Sequence, residues 1–402
     1  MDSVEAYLAD IMAAIRPLPP REVTLADALG AVLARDVTAL YPLPSFDNSA
    51  MDGYAVLARD VASATRAGPV VLPVDGEIAA GDTGRRDHVP GSVIRIMTGA
   101  AMPAGADAVI PVELTDAGTD RVAIYEPVEP GASVRRTGGD AQPGDLLLSA
   151  GTRIGPVHLG LLAAAGHGTV LAHPRPRVTV ISTGNELVEP GNELVPGQIW
   201  ESNATMLAAA AREAGCDARR HPIVRDTADA VLTAVTEALA GSDLLITSGG
   251  VSMGGEHDVV KAALTTLGTV RFRKIAMQPG MPQGFGTVGA GQTPIFTLPG
   301  NPVSAYVSFV LFVLPALAAL QDLSGERGHP CQAALTEPVR SPANKRSFLR
   351  GVLDNAAGLV TPVSGQASHQ LASLAKANAL IIVPEQVTSL DAGTEVDVLE
   401  LP

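Results

Sequence analysis

The chain has 402 residues, 46% hydrophobic and only 3% aromatic, with 41 Gly, 31 Pro and a formal net charge of −14. That length exceeds one ordinary core and implies several domains packed from Ala, Val and Leu, and the Gly and Pro content favours strands and turns over a helical bundle. The negative charge speaks against nucleic acid as a partner, and two cysteines, Cys216 and Cys331, give neither a disulfide framework nor a zinc spacing and fit a reducing cytoplasm.

The N-terminus, MDSVEAYLADIMAAIRPLPP, lacks the basic start and apolar core of a signal peptide and is periodic at helical spacing over residues 4–15. A second apolar pattern, TLADALGAVLARDV (24–37), reads as another helix, and the Pro-rich YPLPSFDNS closes the segment. Over residues 46–140 short runs (VVLPV, SVIRIM, DAVIPVE, RVAIYEPV) alternate with Gly and Pro turns, which predicts a small β-rich domain. Residues 141–174 return to helix around GPVHLGLLAAAG. The β-rich domain is therefore read as inserted into a helical, elongated one made of residues 1–45 and 141–174.

Residues 175–324 alternate strand and helix. Strand VTVIS precedes a helix over about 204–214, with Asn203 as N-cap and Gly215 at C′. A short strand near 218–224, helix TADAVLTAVTEALA, strand DLLIT, helix DVVKAALTTL, strands VRFRKIAM and PIFTL and helix VSAYVSFVLFVL follow. This alternation predicts an α/β domain with a parallel sheet covered on both faces. The uncharged stretch 303–320 is long enough to span a bilayer. Pro315 interrupts it and no second span exists, so it reads as a helix buried in the core or in a subunit interface. Residues 325–402 hold short strands (FLRGVL, LVTPV, ALIIVPE, TEVDVLEL) and predict a small β-barrel or sandwich.

Three apolar runs end in loops of small and polar residues: RVTVI in STGNE (182–186), DLLI in TSGGVSMG (247–254) and PIFT in LPGNPVS (298–304). Ligands of open α/β sheets bind outside the carboxyl ends of the strands, and Gly- and Ser-rich loops before helices suit anions. The pattern predicts a phosphate-bearing ligand. Gly249 and Gly250 can offer N–H groups and Ser248 and Ser252 hydroxyls, although a Gly pair after a strand is also a tight turn. Asp258 begins the helix DVVKAAL, where it can cap the helix or hold Mg²⁺ beside phosphate. Glu186 poses the same choice with less capping potential, and Asp226, just before Thr227, reads first as a cap. LPGNP is stiff and poor in N–H groups, either a rigid pocket wall or an ordinary turn.

FDNSAMDGYAV (46–56) places Asp47 and Asp52 five residues apart between two predicted domains. Composition assigns no role to this loop, nor to RIMTGAAMPAGADAV or RRTGGDAQPGD. Positive charge gathers at Arg135–Arg136, at Arg271, Arg273 and Lys274, and at Lys345 and Arg346 with Arg350. No GxSxG, P-loop or GxGxxG is present, and no His/Cys cluster has metal spacing, so a Ser or Cys triad has no support.

Taken in order, FDNSAMDGYAV, RIMTGA-MP-GADAVIPVE, R-x-x-G-x-D, PGD, STG-EL, TSGGVSMG, D-VVK and LPGNPVSA resemble the molybdopterin molybdenumtransferase family (MoeA, and the E domain of gephyrin), over about residues 4–400. The resemblance implies an elongated homodimer of four-domain subunits, the third domain a molybdopterin-binding α/β domain and the fourth a β-barrel. It implies insertion of molybdate into adenylylated molybdopterin with Mg²⁺ and release of AMP. The cleft would lie between the third and fourth domains of one subunit and the second domain of the other, with no nucleic acid or membrane involved. Matched by motif, Asp52, Glu186 and Asp258 become catalytic, the last two as Mg²⁺ ligands. Thr98, Arg135, Asp140, Asp226, Lys274, Pro299, Pro302, Arg350 and Ser368 join Ser248, Gly249, Gly250 and Ser252 in substrate binding.

The chain departs from the family in three places. QPGMP stands where KPGKP is frequent, so Gln278 and Met281 replace two cations, and Lys274, Arg346 and Arg350 are expected to carry more of the charge facing an oxyanion. The segment 254–258 is one residue longer than usual, and Gly139 stands where an acidic residue is common. Two further readings remain: a non-catalytic, gephyrin-like scaffold for a partner peptide, and an adenylyltransferase acting one step earlier with ATP.

Overall fold

Every residue of the strand Arg177–Ser182 except the first is buried, the pattern of a strand covered on both faces. The computed structural model describes residues 1–84, 86–249, 259–265, 270–323 and 330–401. In it this strand belongs to a six-stranded sheet ordered Asp217–Arg220, Arg177–Ser182, Leu244–Ser248, Thr293–Leu298, Pro282–Val288, Arg271–Lys274. The first four strands are parallel. The last two are antiparallel, so the sheet is mixed where a parallel one was expected.

Alternate residues feed two cores. Val178, Val180 and Ile246 face the helices Asn203–Glu213 and Pro302–Ser308, while Ile181, Leu245 and Ile295 face the helix Ala228–Leu239. The strand Pro282–Val288 was not anticipated, because Gly284 and Gly286 dilute its apolar pattern. Gly284 is there for space: a Cβ would lie 2.9 Å from Thr297 Cβ and from a Phe272 ring carbon.

The single expected strand VRFRKIAM is two. Arg271–Lys274 stays in the sheet, and Met277–Gln278 leaves it to pair with Arg346 and Ser347. That pairing joins the α/β sheet to a closed barrel of five strands, in cyclic order Arg346–Asp354, Leu359–Pro362, Cys331–Leu335, Glu395–Glu400, Ala379–Val383. Closure removes the edges that a sandwich would leave exposed.

The apolar stretch Pro302–Leu320 is 78% buried, as a core helix should be. Pro315 cannot donate an N–H, and the turn before it widens into a π-helix in which Leu314 N–H reaches Phe309 O. The Phe312 ring meets Tyr7 edge-on at 4.9 Å. The first helix, Val4–Ala14, thus packs on this helix through Val4, Tyr7 and Ile11. Arg273 ties it down through Asp2 and Asp10, and Arg346 through Glu5.

The second expected helix, residues 24–37, is absent. Gly30 turns at φ +79, and the apolar residues pair as short strands: Val32–Leu33 with Ala172 and His173, and Val37–Thr38 with Leu146–Leu148. Tertiary pairing overrides the helical spacing. Arg21–Thr24 flanks the other edge of Thr169–His173, so segments on either side of residues 46–140 share one core containing Leu33, Ile154, Leu162 and Val170. The inserted β-rich part has its own five-stranded sheet, ordered Ala108–Pro111, Gly53–Val56, Val93–Ile96, Val70–Ile78, Arg121–Ile124.

Candidate functional site

Parallel register brings the three strand-end loops side by side, with Ser182 opposite Ser248 and Ser248 opposite Leu298. Thr183 N–H donates to Ser248 O and Gly249 N–H to Leu298 O, each at 3.2 Å. The Gly249 amide, expected to face phosphate, is therefore engaged within the sheet. Gly249 has φ +100, and a Cβ there would lie 2.9 Å from Thr183 O, so both conformation and space require glycine. Ser248 is buried, and its hydroxyl donates weakly to Pro299 O at 3.4 Å. Pro302 opens the helix behind LPGNP as its first residue, where a missing N–H costs nothing.

Asn203 does not cap the helix Asn203–Glu213. The carboxylate of Glu201, only 2% exposed, takes that place: Ala204 N–H donates to Oε1 at 2.6 Å and Thr205 N–H to Oε2 at 3.3 Å. Ser182 Oγ donates to Oε1 at 2.8 Å, and Arg220 Nη2 lies 3.2 Å from Oε2. The positive end of this helix is filled by the protein's own anion and is closed to a ligand's phosphate. Asn203 is thereby released to bridge loops, its Nδ2 donating to Ser248 Oγ at 2.8 Å and to Gly300 O at 2.7 Å. Neither role was read from the sequence, although a Glu just ahead of a helix start was the available signal.

Asp226 is not a cap either. Thr227 caps the helix Ala228–Leu239 by accepting from Ala230 N–H. Asp226 instead exchanges hydrogen bonds with Asn185 of STGNE at 3.3 and 3.4 Å. Glu186 is exposed and bends back over Gly184, where a Cβ would lie 2.7 Å from both its carboxylate oxygens. Among the described residues no group of three or more His, Cys, Asp or Glu could hold a metal ion. Gly250, Ser252 and Asp258 lie outside the described residues.

The barrel contributes Ser368 and Arg350. Asn301 Nδ2 donates to Ser368 Oγ at 3.1 Å and Val303 N–H to Ser368 O at 3.1 Å, clamping the barrel to LPGNP. Arg350 is wholly buried on the strand Arg346–Asp354. Its Nη2 donates to Gly365 O and Ala367 O, while Nε and Nη1 are buried without an acceptor among the described residues. No carboxylate pairs with it among the described residues, and burial pushes the guanidinium below its ordinary pKa. Arg346, expected to share the charge facing an oxyanion, is instead held by Glu5 and Glu385. Lys274 and Gln278 are exposed.

The other motif residues gather in the inserted part. Thr98 donates its N–H and its hydroxyl to Asp52 Oδ1, each at 2.7 Å, which lowers the Asp52 pKa. Arg135 pairs through its backbone with Asn48, and Asp140 N–H donates to Leu43 O; both side chains are exposed. Among the described residues no hydrogen bond or ion pair joins this cluster to the strand-end loops. A separate, mostly apolar cavity of about 840 Å³, lined by Trp200, Met206, Tyr306, Leu371, Leu374 and Leu401, borders Glu201 and contains none of the anion-binding candidates.

Known proteins resemble the chain over its whole length. Residues 2–166 match the family model of the MoeA N-terminal region (domain I and II), residues 179–319 that of a probable molybdopterin binding domain, and residues 332–401 that of the MoeA C-terminal region (domain IV). Molybdopterin molybdenumtransferase 2 of Mycobacterium tuberculosis is 46% identical over 410 aligned residues, covering 100% of both chains. Molybdopterin molybdenumtransferase of Bacillus subtilis is 40% identical, covering 94% of this chain and 89% of its own. The crystal structure of a molybdopterin biosynthesis MoeA protein from Pyrococcus horikosii superposes with a TM-score of 0.77 at 34% identity, covering 99% of this chain and 98% of that one. Matches of this extent leave one assignment: the chain belongs to the MoeA family, whose curated members are molybdopterin molybdenumtransferases.

Proposed function

We propose that the chain inserts molybdate into adenylylated molybdopterin, with Mg²⁺, releasing AMP and yielding molybdenum cofactor. The observation that carries this reading is Arg350. A wholly buried guanidinium with two nitrogens unpaired and no carboxylate beside it among the described residues is costly to hold charged. An oxyanion supplies both the missing charge and the missing acceptors, and Ser368, clamped to LPGNP, sets that anion beside the strand-end loops.

The phosphate end of the pterin substrate is assigned to the loops around Ser248 and LPGNP, because Glu201 occupies the neighbouring helix terminus. Mg²⁺ is assigned to Glu186 and Asp258. Magnesium keeps several waters and phosphate oxygens, so one or two carboxylates suffice, and Glu186 fits by its exposure. When bound, the ion neutralises charge on the phosphates as the bond to AMP breaks. The chain's residues orient the reactants: Arg350 and Ser368 the oxyanion, Ser248, Pro299 and Pro302 the pterin phosphate.

Asp52, Thr98, Arg135 and Asp140 are read as completing the cleft of a second subunit in a homodimer. Their exposure, apart from the strand-end loops of their own chain, supports that reading. A cytoplasmic setting is supported by the cysteine count: the chain has two, Cys216 and Cys331, and they form no disulfide with each other. A pure scaffold leaves the unpaired Arg350 without a purpose, and an adenylyltransferase leaves the barrel without one. The test is incubation of purified protein with Mg²⁺, molybdate and adenylylated molybdopterin. AMP release that depends on molybdate supports the proposal; consumption of ATP with molybdopterin, or no release, overturns it.

A further inference from the structure

We infer that Asn203 is a positioning residue for the molybdopterin-binding loops, a side-chain strut between two of them that adds to the Gly249–Leu298 and Ser248–Pro299 hydrogen bonds. Its amide nitrogen donates to the Ser248 hydroxyl and to the Gly300 carbonyl, 45 and 97 positions away in sequence. Those two partners sit at the ends of adjacent parallel strands whose last pair is Ser248 with Leu298, so the strut extends the tie between the loops past the sheet to Gly300. The inference rests on the reading of these loops as the phosphate end of the site.

Three observations separate this role from ordinary packing. Glu201 already serves the helix terminus, so the helix does not need Asn203 as its cap. The Asn203 Oδ1 is buried with no donor among the described residues, a cost that an apolar side chain of the same size avoids. Loss of the amide leaves little stranded: Ser248 Oγ still has Pro299 O, and Gly300 is exposed to water. The amide is therefore more valuable to the loops' spacing than to the fold.

The experiment is fluorescence titration of the full-length protein with molybdopterin, with thermal melting measured in parallel. In N203L the melting temperature holds and the affinity falls about tenfold or more, as loss of the paired hydrogen bonds implies. In N203D the ionised carboxylate faces the Gly300 carbonyl and binding is weak at pH 8. On acidification the protonated acid donates to Gly300 O, and binding recovers relative to wild type at the same pH. Should N203L fail to fold, the N203D pH profile decides the matter alone.

Wild-type affinity in N203L with an unchanged melting temperature, or a flat N203D profile, overturns the inference while the cradle stands. Affinity that falls only in step with the melting temperature assigns Asn203 to the fold and overturns it as well. Failure of the wild-type protein to bind molybdopterin overturns the cradle itself.

Discussion

One oxygen of Asp52 accepts both the amide and the hydroxyl of Thr98, each at 2.7 Å, and Asp47 repeats the arrangement with Thr137 at the same distances. Five residues apart on one loop, two carboxylates thus pin the Thr-Gly turns of IMTGA and RRTGGD. Arg136 adds a charged hydrogen bond to Asp47. The carboxylates serve as anchors that set where Arg135 and Asp140 stand, and the second carboxylate oxygen of Asp52 accepts no hydrogen bond among the described residues.

The anchor is pH-dependent. The Thr137 amide, then its hydroxyl and Arg136, hold the Asp47 pKa at about 2, below its ordinary value of about 4. A depressed folded-state pKa gives stability that is full above the unfolded value and lost as pH falls through the folded one. Amide exchange at Thr137 should therefore accelerate between about pH 4 and pH 2 beyond its intrinsic acid dependence. The D47A protein, which has no side-chain acceptor for the Thr137 N–H, should exchange rapidly at neutral pH and lack that transition; equal protection in both proteins contradicts the anchor.

Glu201 predicts a stability effect. Removing a buried carboxylate leaves the Ser182 hydroxyl and two helix N–H groups unpaired, while Arg220 Nη2 keeps Glu189. E201A should cost about 3 kcal/mol in urea unfolding. E201Q, which keeps an oxygen for Ala204 N–H, should cost about half as much. A loss under about 1 kcal/mol in E201A would mean that the helix terminus is capped by other means.

Gly249 predicts a conformational one. At φ +100, with Thr183 O in the way of a Cβ, G249A must shift the TSGG turn. We expect about 1–2 kcal/mol of destabilisation and weakened molybdopterin binding. Unchanged binding in G249A removes this turn from the site.

Glu186 predicts the reverse, a functional effect without a structural one. Its carboxylate is exposed and has no hydrogen-bond partner among the described residues, so E186Q should melt with the wild type. The Mg²⁺ concentration for half-maximal AMP release should rise about tenfold or more. An unchanged Mg²⁺ requirement takes Glu186 out of the metal site.

The sequence carried the layered α/β core, the inserted β-rich part and the barrel, because each has its own apolar periodicity and turn spacing. It misled where contacts distant in sequence decide the outcome. Residues 24–37 have helical spacing yet pair with strands more than a hundred residues later, and Pro282–Val288 is a strand whose Gly284 exists for the sake of Phe272 and Thr297. In the strand-end loops, composition singled out Ser248 and LPGNP, which the parallel register brings side by side. It could not show that Gly249's amide faces its neighbour, that Glu201 fills the helix terminus, or that Glu5 and Glu385 hold Arg346. Each depends on which partner arrives from elsewhere in the chain.

Arg350, buried and under-bonded among the described residues, is the proposed receptor for the oxyanion. The most direct measurement is the molybdate dependence of AMP release in wild type and in R350M, whose side chain fills similar space without charge. With two charge-assisted hydrogen bonds lost, the molybdate concentration for half-maximal release should rise about a hundredfold or more, while R350M melts no lower than wild type. An R350M enzyme that responds to molybdate as the wild type does would contradict the account.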